Sequence, residues 1–133
     1  NATIIAVNPY CNISDQSFNF SNYSYNPDFT VQFSKYSYNP DLKVKVVNYK
    51  FLADIVFEDS QDSQDSQDSL NSQDFSICKS SNGLDIKISA YSYNSDFVIT
   101  VSEYLYNADF KIYHNSLIFT LEEAIAILAT QNY

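Results

Sequence analysis

The sequence predicts an all-β fold: a tandem-repeat antiparallel meander forming a sandwich or partly closed barrel, with one C-terminal helix. Three observations lead there. A unit of 13 residues recurs, with Tyr10, Tyr23, Tyr36 and Tyr49 at that spacing and Tyr91 and Tyr104 resuming it. Asp15, Asp28, Asp41 and Asp54 keep step with the first set, as Asp96 and Asp109 do with the second. Apolar residues alternate with polar ones inside each unit, and a single helical pattern closes the chain. A fixed short period means one supersecondary unit that buries its apolar face only against its neighbours. A β-solenoid with one unit per coil is the alternative architecture.

Taken in order, residues 3–7 (Thr-Ile-Ile-Ala-Val) form a β-branched run ended by Asn8-Pro9. The run does not alternate, which suits a strand buried on both faces. Residues 10–58 form a first repeat block. Positions one, three and five after each aspartate are apolar (Phe29, Val31, Phe33; Leu42, Val44, Val46), and aromatics stand three and five before it (Tyr23, Tyr25; Tyr36, Tyr38). Period-2 spacing on both sides of Asn26-Pro27-Asp28 reads as two short antiparallel segments joined by a tight turn, with Tyr25 opposite Phe29. Residues 59–74 carry a Ser-Gln-Asp triplet series with little to build a core, and read as a polar loop. Residues 75–115 form a second block, in which Asn82-Gly83 between two apolar runs is the strongest hairpin signal. Residues 120–131 form the helix: Thr120 and Glu123 make a capping box, and Leu121, Ala124, Ile125, Leu128 and Ala129 make an apolar stripe. Three turns of helix could plug an open barrel end. Residues 1–133 thus read as one domain.

Composition narrows the function. The 133 residues hold 12 Tyr, 10 Phe and no Trp, and 45% are apolar, enough for a real core. Net charge is −9, with 7 Lys and no Arg, so a nucleic-acid partner is not expected. No apolar run is long enough to span a membrane as a helix. Cys11 and Cys78 have no metal-ligand spacing; they are either one disulfide or two buried thiols. The chain starts at Asn1 rather than Met, as a processed, secreted chain would. Asn1-Ala2-Thr3, Asn12-Ile13-Ser14, Asn19-Phe20-Ser21 and Asn22-Tyr23-Ser24 match the glycosylation pattern, though a chain this rich in Asn and Ser gives such matches by chance.

Candidate chemistry is sparse. His114 is the only histidine and has no nucleophile pattern around it, so it reads as an ordinary surface residue and no catalytic site is expected. Asp28, Asp41, Asp54, Asp96 and Asp109 occupy equivalent turns. Each carboxylate either accepts a backbone N–H locally or joins a row of oxygen ligands for Ca²⁺, the one metal reading; no other cofactor is implied. Tyr23, Tyr25, Tyr36, Tyr38, Tyr91 and Tyr93 form a candidate aromatic strip for a protein or carbohydrate.

The segments Tyr106-Asn107-Ala108-Asp109-Phe110-Lys111-Ile112-Tyr113 and Tyr38-Asn39-Pro40-Asp41-Leu42-Lys43-Val44 resemble an uncharacterised bacterial family. That family is built of tandem Tyr-x-Ala-Asp-hydrophobic-Lys-Val units in two blocks. The chain departs from it in its Asn-Pro turns, its Ser-Gln-Asp tract and its terminal helix. The resemblance implies a repeat architecture and no catalytic residue. The expectation is a non-enzymatic, extracellular or cell-surface structural subunit that self-assembles, into filaments for example. Thr3, Ile4, Ile5, Ala6 and Val7 would add to a neighbour's sheet edge. The alternative is a small binding domain using the Tyr strip or the acidic loop.

Overall fold

The computed structural model describes residues 2–21, 25–35, 38–60, 73–90, 94–104 and 106–131. Its strands are β1 (Thr3–Asn8), β2 (Gln16–Phe20), β3 (Phe29–Phe33), β4 (Leu42–Val46), β5 (Ile55–Asp59), β6 (Gln73–Lys79), β7 (Leu84–Ser89), β8 (Phe97–Ser102) and β9 (Phe110–Asn115). A 3-10 turn, Lys50–Leu52, precedes β5, and one helix, α1 (Leu121–Thr130), follows β9. The strands close into a barrel in the order β1-β5-β9-β4-β8-β3-β7-β2-β6, and β6 returns to β1. Every ladder is parallel.

The antiparallel meander is therefore corrected to an all-parallel closed barrel. Each repeat supplies one strand and one return, rather than two antiparallel segments. Strand starts Gln16, Phe29, Leu42 and Ile55 follow the 13-residue period, as do Leu84, Phe97 and Phe110. The period has a geometric basis. Five strand residues rise about 16 Å. Residues 21–28, fully extended, span at most about 27 Å. That length suffices to return to the starting end and step sideways by two strand spacings, about 10 Å. Successive strands accordingly land two places apart, and the chain circles the barrel twice. The second winding fills the gaps left by the first, so apart from the two ladders of β1, which precedes both blocks, every ladder joins one repeat block to the other. Neither block can form this sheet alone.

The Asn82-Gly83 hairpin is also corrected. β6 and β7 do not pair with each other; β2 lies between them. Gly83 has no positive φ, so it does not serve a primed hairpin turn. It is needed for room: a Cβ there would lie 2.5 Å from the carbonyl carbon of Ser17 and 2.6 Å from the nitrogen of Phe18, both on β2.

Inward residues from all nine strands and α1 make one core. Six consecutive helical residues, Ala124 to Ala129, are buried, which a helix lying on a surface cannot achieve. Leu121 lines a common pocket with Phe33 and Val101, near the C-terminal ends of their strands, while Gln131 meets Gln16 at the start of β2. The helix therefore runs through the lumen, antiparallel to the strands. The capping box forms as the sequence implies: Glu123 N–H donates to Thr120 Oγ1 at 3.2 Å, and Thr120 N–H donates to Glu123 Oε1 at 2.9 Å. Asp59 orients the lead-in, accepting from Ser116 Oγ at 2.6 Å and from Leu117 N–H at 2.9 Å. Parallel sheets need cover on both faces. Here α1 fills the inside. Outward Gln32 and Thr100 reach the beginnings of the returns between strands, at the carbonyls of Ala90 and Ser34.

Candidate binding surface

The five repeat aspartates stand immediately before β3, β4, β5, β8 and β9, which are consecutive in the barrel. Each grips the neighbouring strand at two points. Asp41 N–H donates to Val98 O, and Val98 N–H donates back to Asp41 Oδ2, both at 2.8 Å. The same reciprocal pair joins Asp28 to Asp85, Asp54 to Lys111, Asp96 to Thr30 and Asp109 to Lys43, at 2.7–2.8 Å. The carboxylate extends the ladder by one bond beyond the strand end. A backbone N–H is thus the partner of each carboxylate, but across the barrel wall instead of within its own turn. Asp15, in the degenerate first unit, instead accepts from Asn8 Nδ2 and Asn12 N–H. Among the described residues, no group of three or more His, Cys, Asp or Glu is placed to hold a metal ion.

Three residues before these aspartates stand Tyr25, Tyr38, Phe51 and Tyr106, with fractional exposures of 98%, 104%, 82% and 100%. They lie on the loops entering β3, β4, β5 and β9. Since β4, β9 and β5 are adjacent, Tyr38, Tyr106 and Phe51 sit on neighbouring loops, and Tyr49 stacks on Phe51 with centroids 5.6 Å apart. Tyr25 does not pair with Phe29 across a hairpin, because residue 29 is bonded to Ile86 on β7. Tyr23, Tyr36, Tyr91 and Tyr93 lie outside the described residues, as does most of the Ser-Gln-Asp loop. The arc of exposed rings therefore includes two members of the expected strip, Tyr25 and Tyr38. Phe51 and Tyr106 were missed as surface residues. Their identical offset from the aspartate was the available signal.

Thr3 to Val7 lie in β1, which is paired with β5 on one side and β6 on the other, and Ile5, Ala6 and Val7 are buried. β1 has no free edge in the closed barrel. His114 is not a surface residue: it is half-buried, shares the inward face of β9 with Ile112, and stacks on Phe57. Its Nε2 lies 2.8 Å from Phe119 O. A carbonyl only accepts, so Nε2 carries the proton and ties the barrel wall to the lead-in of α1. Glu58, outward on β5 yet 2% exposed, is held by Lys50 Nζ of the 3-10 turn at 2.8 Å. Cys11 and Cys78 form a disulfide. Such bonds persist in oxidising compartments. No described helix is long and apolar enough to cross a membrane.

No family model, no curated protein and no solved structure matches this chain.

Proposed function

We propose that this chain is a non-enzymatic binding domain that works outside the cell, presenting its aromatic loops to a carbohydrate or protein partner. One observation carries the reading. Tyr25, Tyr38, Phe51 and Tyr106 are almost wholly exposed at repeat-equivalent positions, while the core is complete without them. Large rings left in water, three of them (Tyr38, Tyr106 and Phe51) on neighbouring loops, mark interaction surfaces, and a rigid scaffold holding variable loops is the common arrangement for binding. The disulfide supports an extracellular setting. Self-association into filaments is the second reading. With β1 paired on both sides, it would proceed through these same rings rather than by strand addition.

The test is sedimentation of the purified chain over a concentration range, together with binding to arrayed glycans. The variant for comparison carries Tyr25→Ser, Tyr38→Ser and Tyr106→Ser. The binding reading expects a monomer at every concentration and glycan or protein binding that the triple variant loses without unfolding. Assembly abolished by the triple variant would move the conclusion to self-association. Binding and assembly both untouched by the variant would refute the role of the rings.

A further inference from the structure

We infer that the barrel carries a small-molecule site at its N-terminal end, between α1 and the β1–β6–β2 wall. It would take a compact apolar molecule bearing one hydrogen-bond donor. A cavity of about 160 Å³ lies there, lined by Ile5, Phe18, Phe75, Ile77, Ile127 and Leu128, with Gln16 and Gln131 also on its lining. An apolar cavity of about 150 Å³ is large enough to hold a benzene ring.

Two features of the fold make this space. α1 approaches β3 and β7 more closely than the β1–β6 side of the wall. The β1–β6 ladder also slips by one residue between Ile4 and Ile5, where Ile4 faces Gln73 but Ile5 faces Phe75. A slip of this kind bends the wall, and such irregularities recur beside functional sites. Most of the wall is preformed, since Ile5, Phe18, Ile77, Ile127 and Leu128 are buried in strands and helix, while Phe75, 51% exposed, and Gln16 stand on its open side.

The two amides supply the polar end. Gln16 Nε2 donates to Gln131 Oε1 at 3.0 Å, and Gln131 Nε2 donates to Thr130 Oγ1 at 3.2 Å. Gln16 is exposed and its Oε1 has no protein donor among the described residues, so it is open to water or to a ligand. It is an acceptor for a hydroxyl or ring N–H on a molecule whose apolar body fills the cavity. The nearest carboxylates and cations do not line the cavity, so a neutral ligand is favoured over a charged one.

The experiment is a methyl-detected NMR titration of the full-length chain with phenol, using benzene as the comparison without a donor. The expected result is saturable shifts at the methyls of Ile5, Ile77 and Ile127, a Kd of about 1 mM for a ligand this small, and unmoved methyls of Ile99 and Ile112. Ile77→Phe, or Ile127→Phe if the former does not fold, should weaken phenol binding at least tenfold by filling the space. Gln16→Leu should erase the preference for phenol over benzene. Shifts that do not saturate, or that are equal at Ile99 and Ile112, overturn the site. Equal binding of phenol and benzene by the unaltered chain overturns the role of Gln16. If both filled variants fail to fold, the methyl map of the unaltered chain decides.

Discussion

Replacing Asp41 by alanine removes one arm of a two-point clamp and leaves the other. The backbone N–H of residue 41 still reaches Val98 O, but the 2.8 Å bond from Val98 N–H to Asp41 Oδ2 is lost. A hydrogen bond to a charged group contributes about 1.5–3 kcal/mol net when shielded. Asp41 is exposed, so water replaces part of the loss and about 1 kcal/mol is the reasonable figure. Unfolding entropy near 2.1 cal/mol/K per residue comes to about 0.28 kcal/mol/K for a chain of this length, so Tm should fall by about 3–4 °C. Asp41→Asn keeps an acceptor oxygen and should lose about half as much. Asp54 and Asp96 clamp strands that are not neighbours, so their double alanine variant should lose about 2 kcal/mol, the sum of its parts. Calorimetry and urea titration with an unchanged m-value would measure this. Each series is run with added Ca²⁺ and with chelator. The clamp predicts the same loss in both. A destabilisation that appears only with Ca²⁺ present, or an Asn variant as weak as the Ala variant, would refute the acceptor role and restore the metal one.

Two further outcomes follow from the same geometry. Cys11 and Cys78 are 67 residues apart, and chain-entropy arithmetic for that loop gives about 4.4 kcal/mol. The Cys11→Ala/Cys78→Ala chain should melt about 16 °C lower, and reductant should have no further effect on it. A drop of only a few degrees by calorimetry would mean that residual structure in the unfolded chain already restrains those ends and would refute the chain-entropy figure. Gly83→Ala would push a methyl into the Ser17–Phe18 backbone, and the displaced β2 should cost about 2–3 kcal/mol, read by chemical denaturation. A neutral effect would show that β2 and the Ser80–Gly83 turn are not packed as described.

The helix illustrates what was legible. Its capping box and apolar stripe are local, and local chemistry decided its N-terminal end and its amphipathic face. Its full enclosure was not legible, because Ala126 and Ile127 extend the stripe only if a closed wall surrounds them. The aspartates illustrate the reverse case. Residue type and turn position made a backbone acceptor the natural role, yet the N–H each one meets lies 57 or 66 residues away. No spacing inside one unit encodes that distance. Tyr25 misled because alternation around Asn26-Pro27-Asp28 fits a hairpin as well as it fits a return loop.

By itself, the sequence determined the repeat length, the strand cores, and the terminal helix with its N-terminal capping box. Those features depend on residues within one unit of each other. Only the tertiary structure decided strand direction, the double winding and the closure of β1 on β5. A 13-residue unit is long enough for either a hairpin or a strand with its return. The choice rests on which arrangement pairs every strand edge and covers both faces. Here the second block slots between the strands of the first, with a helix through the middle.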